Sequence, residues 1–165
     1  MDDSAYTGPR RKGWRLPGFD YSTPGAYFVT LVVQDRVCRL ARILAGKAHL
    51  TPAGQLIATE WSGLPGRFPG LALDEHVVMP DHVHGLLIVR PGADSERPNI
   101  SDVIDAFKSK TTVDYGVQVR KSGWPQYRKR LWQRGFHDEI IRDARHFENV
   151  RRYIRANPER WEGPP

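Results

Sequence analysis

Apolar positions recur at two periods along this chain, and each switch between them marks an element. Residues 27–33 are β-branched and aromatic, which predicts a strand. Thr51 and Pro52 suit the N-cap and first position of a helix that runs to about Trp61, before Gly63, Pro65, Gly66, Pro69 and Gly70 build a loop. Residues 73–79 and 82–89 read as strands joined at Pro80-Asp81, close enough in sequence to pair antiparallel. After a loop over 91–98, Ser101 fits the cap of a helix with Val103, Ile104, Phe107 and Thr111 on its buried face. Residues 116–130 read as a basic loop, and 139–142 as a strand. Asp143 then caps a last helix, striped by Phe147, Val150 and Ile154 and stopped by Pro158. The order strand, helix, strand, strand, helix, strand, helix predicts an α+β fold: a ferredoxin-like antiparallel sheet with helices packed on it. One domain is expected over 25–161, after an irregular basic segment over 1–24 broken by Pro9, Gly13, Pro17, Gly18 and Pro24.

The length of 165 residues suits one domain with a substantial core. Cys38 is the single cysteine, so an internal disulfide is excluded and a reducing compartment is expected. No apolar run approaches membrane-spanning length, and Asp2-Asp3 is not the start of a basic, hydrophobic leader. The expectation is a cytoplasmic protein with no membrane partner. Net charge is +6, and it is uneven: residues 1–100 hold 11 basic against 10 acidic side chains, residues 101–165 hold 14 against 9. In the second half Lys121, Arg128, Lys129, Arg130 and Arg134 interleave with Trp124, Tyr127 and Trp132, a mixture suited to phosphate neutralisation and base stacking. A second group, Arg10, Arg11, Lys12 and Arg15, surrounds Trp14. Solvated charge runs are the plain alternative; the accompanying aromatics favour a nucleic-acid surface.

Candidate chemistry begins with His82-Val83-His84. Residues two apart on a strand share a face, so both imidazoles would project together as a ready chelate for a divalent metal. The pair alone fits buried structural histidines equally well. A third group is offered by the last helix, where Tyr153 and Asn157, four apart, present a hydroxyl and an amide side by side. Taken alone these are more readily a core aromatic and a helix stop. Of the other histidines, only His137 is retained as a possible site participant.

Several ordered stretches carry a family likeness: 15–21, 25–30, 73–85 with its Met79-Pro80-Asp81-His82-Val83-His84-Gly85, Phe107-Lys108-Ser109, Leu131-Trp132-Gln133-Arg134, 140–142, and Tyr153-Ile154 through Asn157-Pro158-Glu159-Arg160-Trp161. With them the chain resembles the single-tyrosine HUH (IS200-like) transposases, most closely the REP-associated tyrosine transposases of bacteria. That resemblance implies His82, His84 and Asn157 as ligands of Mg²⁺ or Mn²⁺ and Tyr153 as the nucleophile. It further implies cleavage of single-stranded DNA beside hairpins, such as repeated extragenic palindromes, through a 5′-phosphotyrosine. Strands would be rejoined without ATP. One position departs from the pattern: Glu139 stands where the family commonly has a histidine, so Glu139 joins His137 as a possible participant. Lys108, Lys110, Arg152 and Arg155 are further candidates for DNA contact, and three of them, Lys108, Arg152 and Arg155, for activating the phenol. A non-catalytic module binding single-stranded nucleic acid is the alternative function. Either a monomer or a homodimer is compatible with the sequence.

Overall fold

The computed structural model describes residues 6–8 and 16–164. The basic group Arg10, Arg11, Lys12 and Arg15 lies outside the described residues. The chain runs through β1 (Gly25–Val32), a hairpin of β2 (Ala41–Leu44) and β3 (Lys47–Leu50), α1 (Pro52–Ser62), the single turn α2 (Leu64–Arg67), β4 (Leu71–Val78), β5 (His82–Val89), α3 (Ile100–Ser122), β6 (His137–Ile140) and α4 (Ala144–Ala156). Four strands form one sheet in the order β4-β5-β1-β6, every neighbouring pair antiparallel. Thus β1 and β4 run parallel with β5 between them, and α1 crosses over, which is the split βαβ arrangement of a ferredoxin-like core.

Alternation along β1 sorts the interior into two layers. Tyr27, Val29 and Leu31 join Val83, Leu87, Ile57, Trp61, Val103, Ile104 and Phe107 in a large core beneath α1 and α3. Phe28 faces the other way, with Leu86, Val150 and Ile154, so α4 covers the opposite face of the sheet. The central strand is buried from both sides, and its near-continuous apolar run follows from that.

Gly85 holds the α1 layer close. A Cβ there would lie 2.2 Å from Trp61 Cζ2, so the sheet can approach the indole only because no side chain stands at this position.

Four features differ from the pattern-based expectation, one of them the helical turn α2 within the stretch expected as a loop. The β2–β3 hairpin was not anticipated, because its strands are four residues long and its turn is Ala45-Gly46, with φ of 48° and 71°. Alanine conceals a turn that usually announces itself with Asn or Asp. Helix α3 begins under Asn99, whose side chain accepts from Ser101 N at 2.9 Å, so Asn99 and not Ser101 is the cap. It then continues through half of the expected basic loop, because Tyr115 extends the stripe of Ile104, Phe107 and Thr111 and packs on Trp124 at 5.2 Å. Finally, β6 lies two residues earlier than expected, with Thr30 opposite His137 and Phe28 opposite Glu139.

Candidate functional site

Two strands in the middle of the sheet set the first half of the site. On the α4 side, Thr30 of β1 lies opposite His84 of β5, and Val32 opposite His82. The two rings are 4.5 Å apart between centroids and both are buried. Each ring is steered through Nδ1: that of His82 is 2.6 Å from Asp81 Oδ1, and that of His84 is 2.8 Å from Thr30 Oγ1. The fully buried Asp81 carboxylate accepts a hydrogen bond from His82 Nδ1–H, an arrangement that directs Nε2 away from it. Burial above all, then the proximity of His82 and Arg36, holds the pKa of His84 well below the ordinary histidine range. His84 is therefore neutral at physiological pH.

A pH dependence of stability follows. The unfolded chain takes up a proton on this imidazole below about pH 6.5, whereas folded His84 resists until a lower pH. Folding of the protein in chelator therefore weakens as pH falls below about 6.5. Urea titrations between about pH 8 and 5 measure this, and His84→Gln flattens that part of the slope.

Helix α4 brings the second half. Asp143 caps it by accepting from His146 N at 2.7 Å, and Val150 and Ile154 seat it on Phe28 and Leu86. Arg151 Nε is 2.8 Å from Asp74 Oδ1, and Arg155 Nε donates to Glu75 at 2.9 Å, which ties the helix to β4. This places the Tyr153 ring 5.5 Å from His84 and 6.0 Å from Phe28. Asn157 follows one turn later as the C-cap. Thr30, Val32, Arg36, His82, His84, His137, Tyr153 and Asn157 together line a cleft of about 330 Å³.

The residues expected from sequence distribute as follows. His82, His84, Tyr153 and Asn157 meet in this cleft, and His137 joins them from β6. Glu139 is not among the cleft-lining residues: it accepts from the Tyr6 hydroxyl at 2.7 Å and pairs with His146 Nε2 at 2.9 Å. The Tyr6 ring in turn stands edge-on to Tyr153 at 5.3 Å. Glu139 therefore braces the start of α4 and the N-terminal segment. Lys108 is likewise engaged elsewhere, donating to the carbonyls of Gln133 and Gly135 at 2.6 and 2.7 Å, with its pKa lowered by burial. Lys110 pairs with Asp114 and Glu60, and Arg152 with Asn149. Lys129, Arg130 and Arg134 line a separate groove of about 500 Å³ together with Lys108 and Trp132, while Lys121 and Arg128 are exposed. Sequence reasoning missed Thr30, Arg36 and Asp81 as parts of the site. The adjacency of Asp81 to His82 was the one signal available; the other two arrive through strand pairing and a loop.

Among the described residues, no group of three His, Cys, Asp or Glu is placed to hold a metal, and no helix is long and apolar enough to cross a membrane. The candidate donors are the imidazoles of His82 and His84 and the carboxamide of Asn157, with His137 also lining the cleft. This set fits a divalent cation, because both Nδ1 atoms are occupied and neither Nε2 has a partner among the described residues.

An antiparallel sheet bearing a histidine couple, covered by a helix that carries a tyrosine and an asparagine one turn apart, defines a class already met in the sequence. The chain belongs to the transposase IS200-like family, whose sequence model matches residues 69–157. An uncharacterized protein of Haemophilus influenzae is 27% identical over 162 residues, covering 92% of this chain and 90% of that one. A second Haemophilus influenzae protein, provisionally named a REP-associated tyrosine transposase, is 28% identical over 142 residues, covering 84% of this chain and 73% of that one. A solved REP-associated tyrosine transposase bound to a REP hairpin shares the fold, with a TM-score of 0.61 and 20% identity over 90% of this chain and 73% of the other.

Proposed function

We propose that this transposase-family protein nicks and rejoins single-stranded DNA beside hairpins of the repeated-palindrome type, with Tyr153 as nucleophile. The observation that carries the reading is the convergence on one cleft of His82 and His84 from β5 with Tyr153 and Asn157 from the end of the chain's last long helix. The Tyr153 oxygen would attack phosphorus as its proton leaves to solvent; the bond from phosphorus to the 3′ oxygen breaks, and that oxygen takes a proton to become a 3′-hydroxyl. The product is a 5′-phosphotyrosine, which a second 3′-hydroxyl can reverse without ATP because the phosphodiester energy is retained. His82, His84 and Asn157 would hold Mn²⁺ or Mg²⁺, with Mn²⁺ favoured by two imidazole ligands. When bound, such an ion supplies Lewis-acid neutralisation of phosphate charge. Asp81 and Thr30 keep the two rings in the orientation that leaves Nε2 available. The half-buried Tyr153 lies against Phe28 and Tyr6, so the phenol is held rather than free to swing.

The likeness to a protein solved on a REP hairpin, and the basic groove of Lys129, Arg130 and Arg134, support hairpin DNA as the partner. The test is incubation with labelled hairpin DNAs carrying single-stranded flanks. A denaturant-resistant protein–DNA adduct is expected with Mn²⁺ and is lost on chelation. Hairpin binding without any adduct would instead assign the protein as a binding module.

A further inference from the structure

We infer that Arg36 is a further catalytic residue of the reaction proposed above: its outer guanidinium nitrogens grip a non-bridging oxygen of the phosphate that Tyr153 attacks, while its Nε holds Asp81. The inference rests on that reading. A phosphate under attack by phenol gathers negative charge, and a positioned cation is the usual way a site meets it. The other candidate cations are committed elsewhere. Arg151 and Arg155 pair with Asp74 and Glu75, Arg152 bonds Asn149, and Lys108 is held by two carbonyls. Among the described residues, Arg36 is the one Lys or Arg that lines the cleft.

Its engagement there is partial. Arg36 Nε lies 3.0 Å from Asp81 Oδ2 in an ion contact rather than an aligned hydrogen bond, and the outer nitrogens have no partner among the described residues. The side chain is 38% exposed although the carboxylate it touches is 0% exposed. A part-exposed guanidinium fork that lines the cleft while its Nε lies against a buried carboxylate suits phosphate recognition.

The backbone is bent to achieve this. Asp35 and Arg36, consecutive and neither of them glycine, have φ of 58° and 51°. Such residues cost roughly 1 kcal/mol each or more, and persist where surrounding bonds over-determine the loop. Those bonds are present: Val33 N donates to Asp81 O at 2.9 Å, Gln34 N to Leu131 O at 2.8 Å, and Arg36 N to Val33 O at 3.0 Å. A counter-ion for Asp81 alone would need neither the fork nor the strain.

The experiment compares wild type, Arg36→Lys and Arg36→Ala for Mn²⁺ affinity, hairpin affinity and adduct formation at saturating DNA and Mn²⁺. A second strand carries one neutral methylphosphonate at the cleaved linkage. We expect Arg36→Ala to slow adduct formation about 100-fold on the natural strand and less than about tenfold on the methylphosphonate, where the charge it meets is gone. Arg36→Lys, with charge but no fork, falls between. Should Arg36→Ala lower the melting temperature enough to obscure the rate, Arg36→Gln, of similar volume, carries the same comparison. Restoration of the wild-type rate by saturating Mn²⁺, or an equal loss on both strands, would reduce Arg36 to the counter-ion of Asp81 and overturn the inference. An active wild type matched by Arg36→Ala removes this inference alone, whereas a wild type that forms no adduct on any hairpin takes the proposed reaction with it.

Discussion

Tyr153→Phe is expected to abolish the covalent adduct, lowering its rate at least ~10³-fold, while hairpin affinity stays within about twofold. Loss of the oxygen removes the atom that would bond to phosphorus in the proposed reaction, and the one other hydroxyl lining the cleft among the described residues, Thr30, is engaged with His84. The ring itself is retained, and with it the contacts to Tyr6, Phe28 and His84. Tyr153 Oη makes no hydrogen bond among the described residues, so the variant leaves no buried group unsatisfied. Its stability should match wild type within about 0.5 kcal/mol. Denaturing gels of labelled DNA, gel shifts and a thermal melt check the three parts together. An adduct that survives in the variant would transfer the nucleophile's role to another residue.

The largest effect on folding is expected at Gly85. In Gly85→Ala the new methyl would stand 2.2, 2.8 and 3.0 Å from three atoms of Trp61, far inside contact distance. Trp61 has no room to retreat, since it is 0% exposed and packs edge-on against Phe107 at 5.4 Å. Overpacking of a core usually costs about 1–3 kcal/mol, and a clash with a trapped indole belongs at or above the top of that range. For a chain of this size that corresponds to a melting temperature lower by about 6–12 °C. Trp61→Leu opens space over the same strand, so the double variant should recover part of the loss. A Gly85→Ala protein that melts like wild type would mean the sheet and α1 are not held this closely.

How much of this was legible in the chain depends on how far each relation reaches. The His82/His84 couple follows from period two, and the pairing of Tyr153 with Asn157 from the helical repeat; both are local rules, and the structure gathers all four residues into one cleft. The antiparallel sheet and its covering helices followed from element order. Relations that cross strands were not accessible. Thr30 acquires its part only because the β1–β5 register sets it opposite His84, and Arg36 only because a loop with two left-handed residues turns it back toward Asp81. Glu139 shows the converse. A likeness drew attention to its position, yet its carboxylate is taken by Tyr6 and His146.

The histidine couple, the phenol and the amide are all contributed by one folded polypeptide. Within a single chain these side chains already line one cleft. If the proposed reaction runs within one such cleft, the rate of a single nick per chain is expected to be unchanged on dilution, and a rate that falls on dilution would point to a shared site.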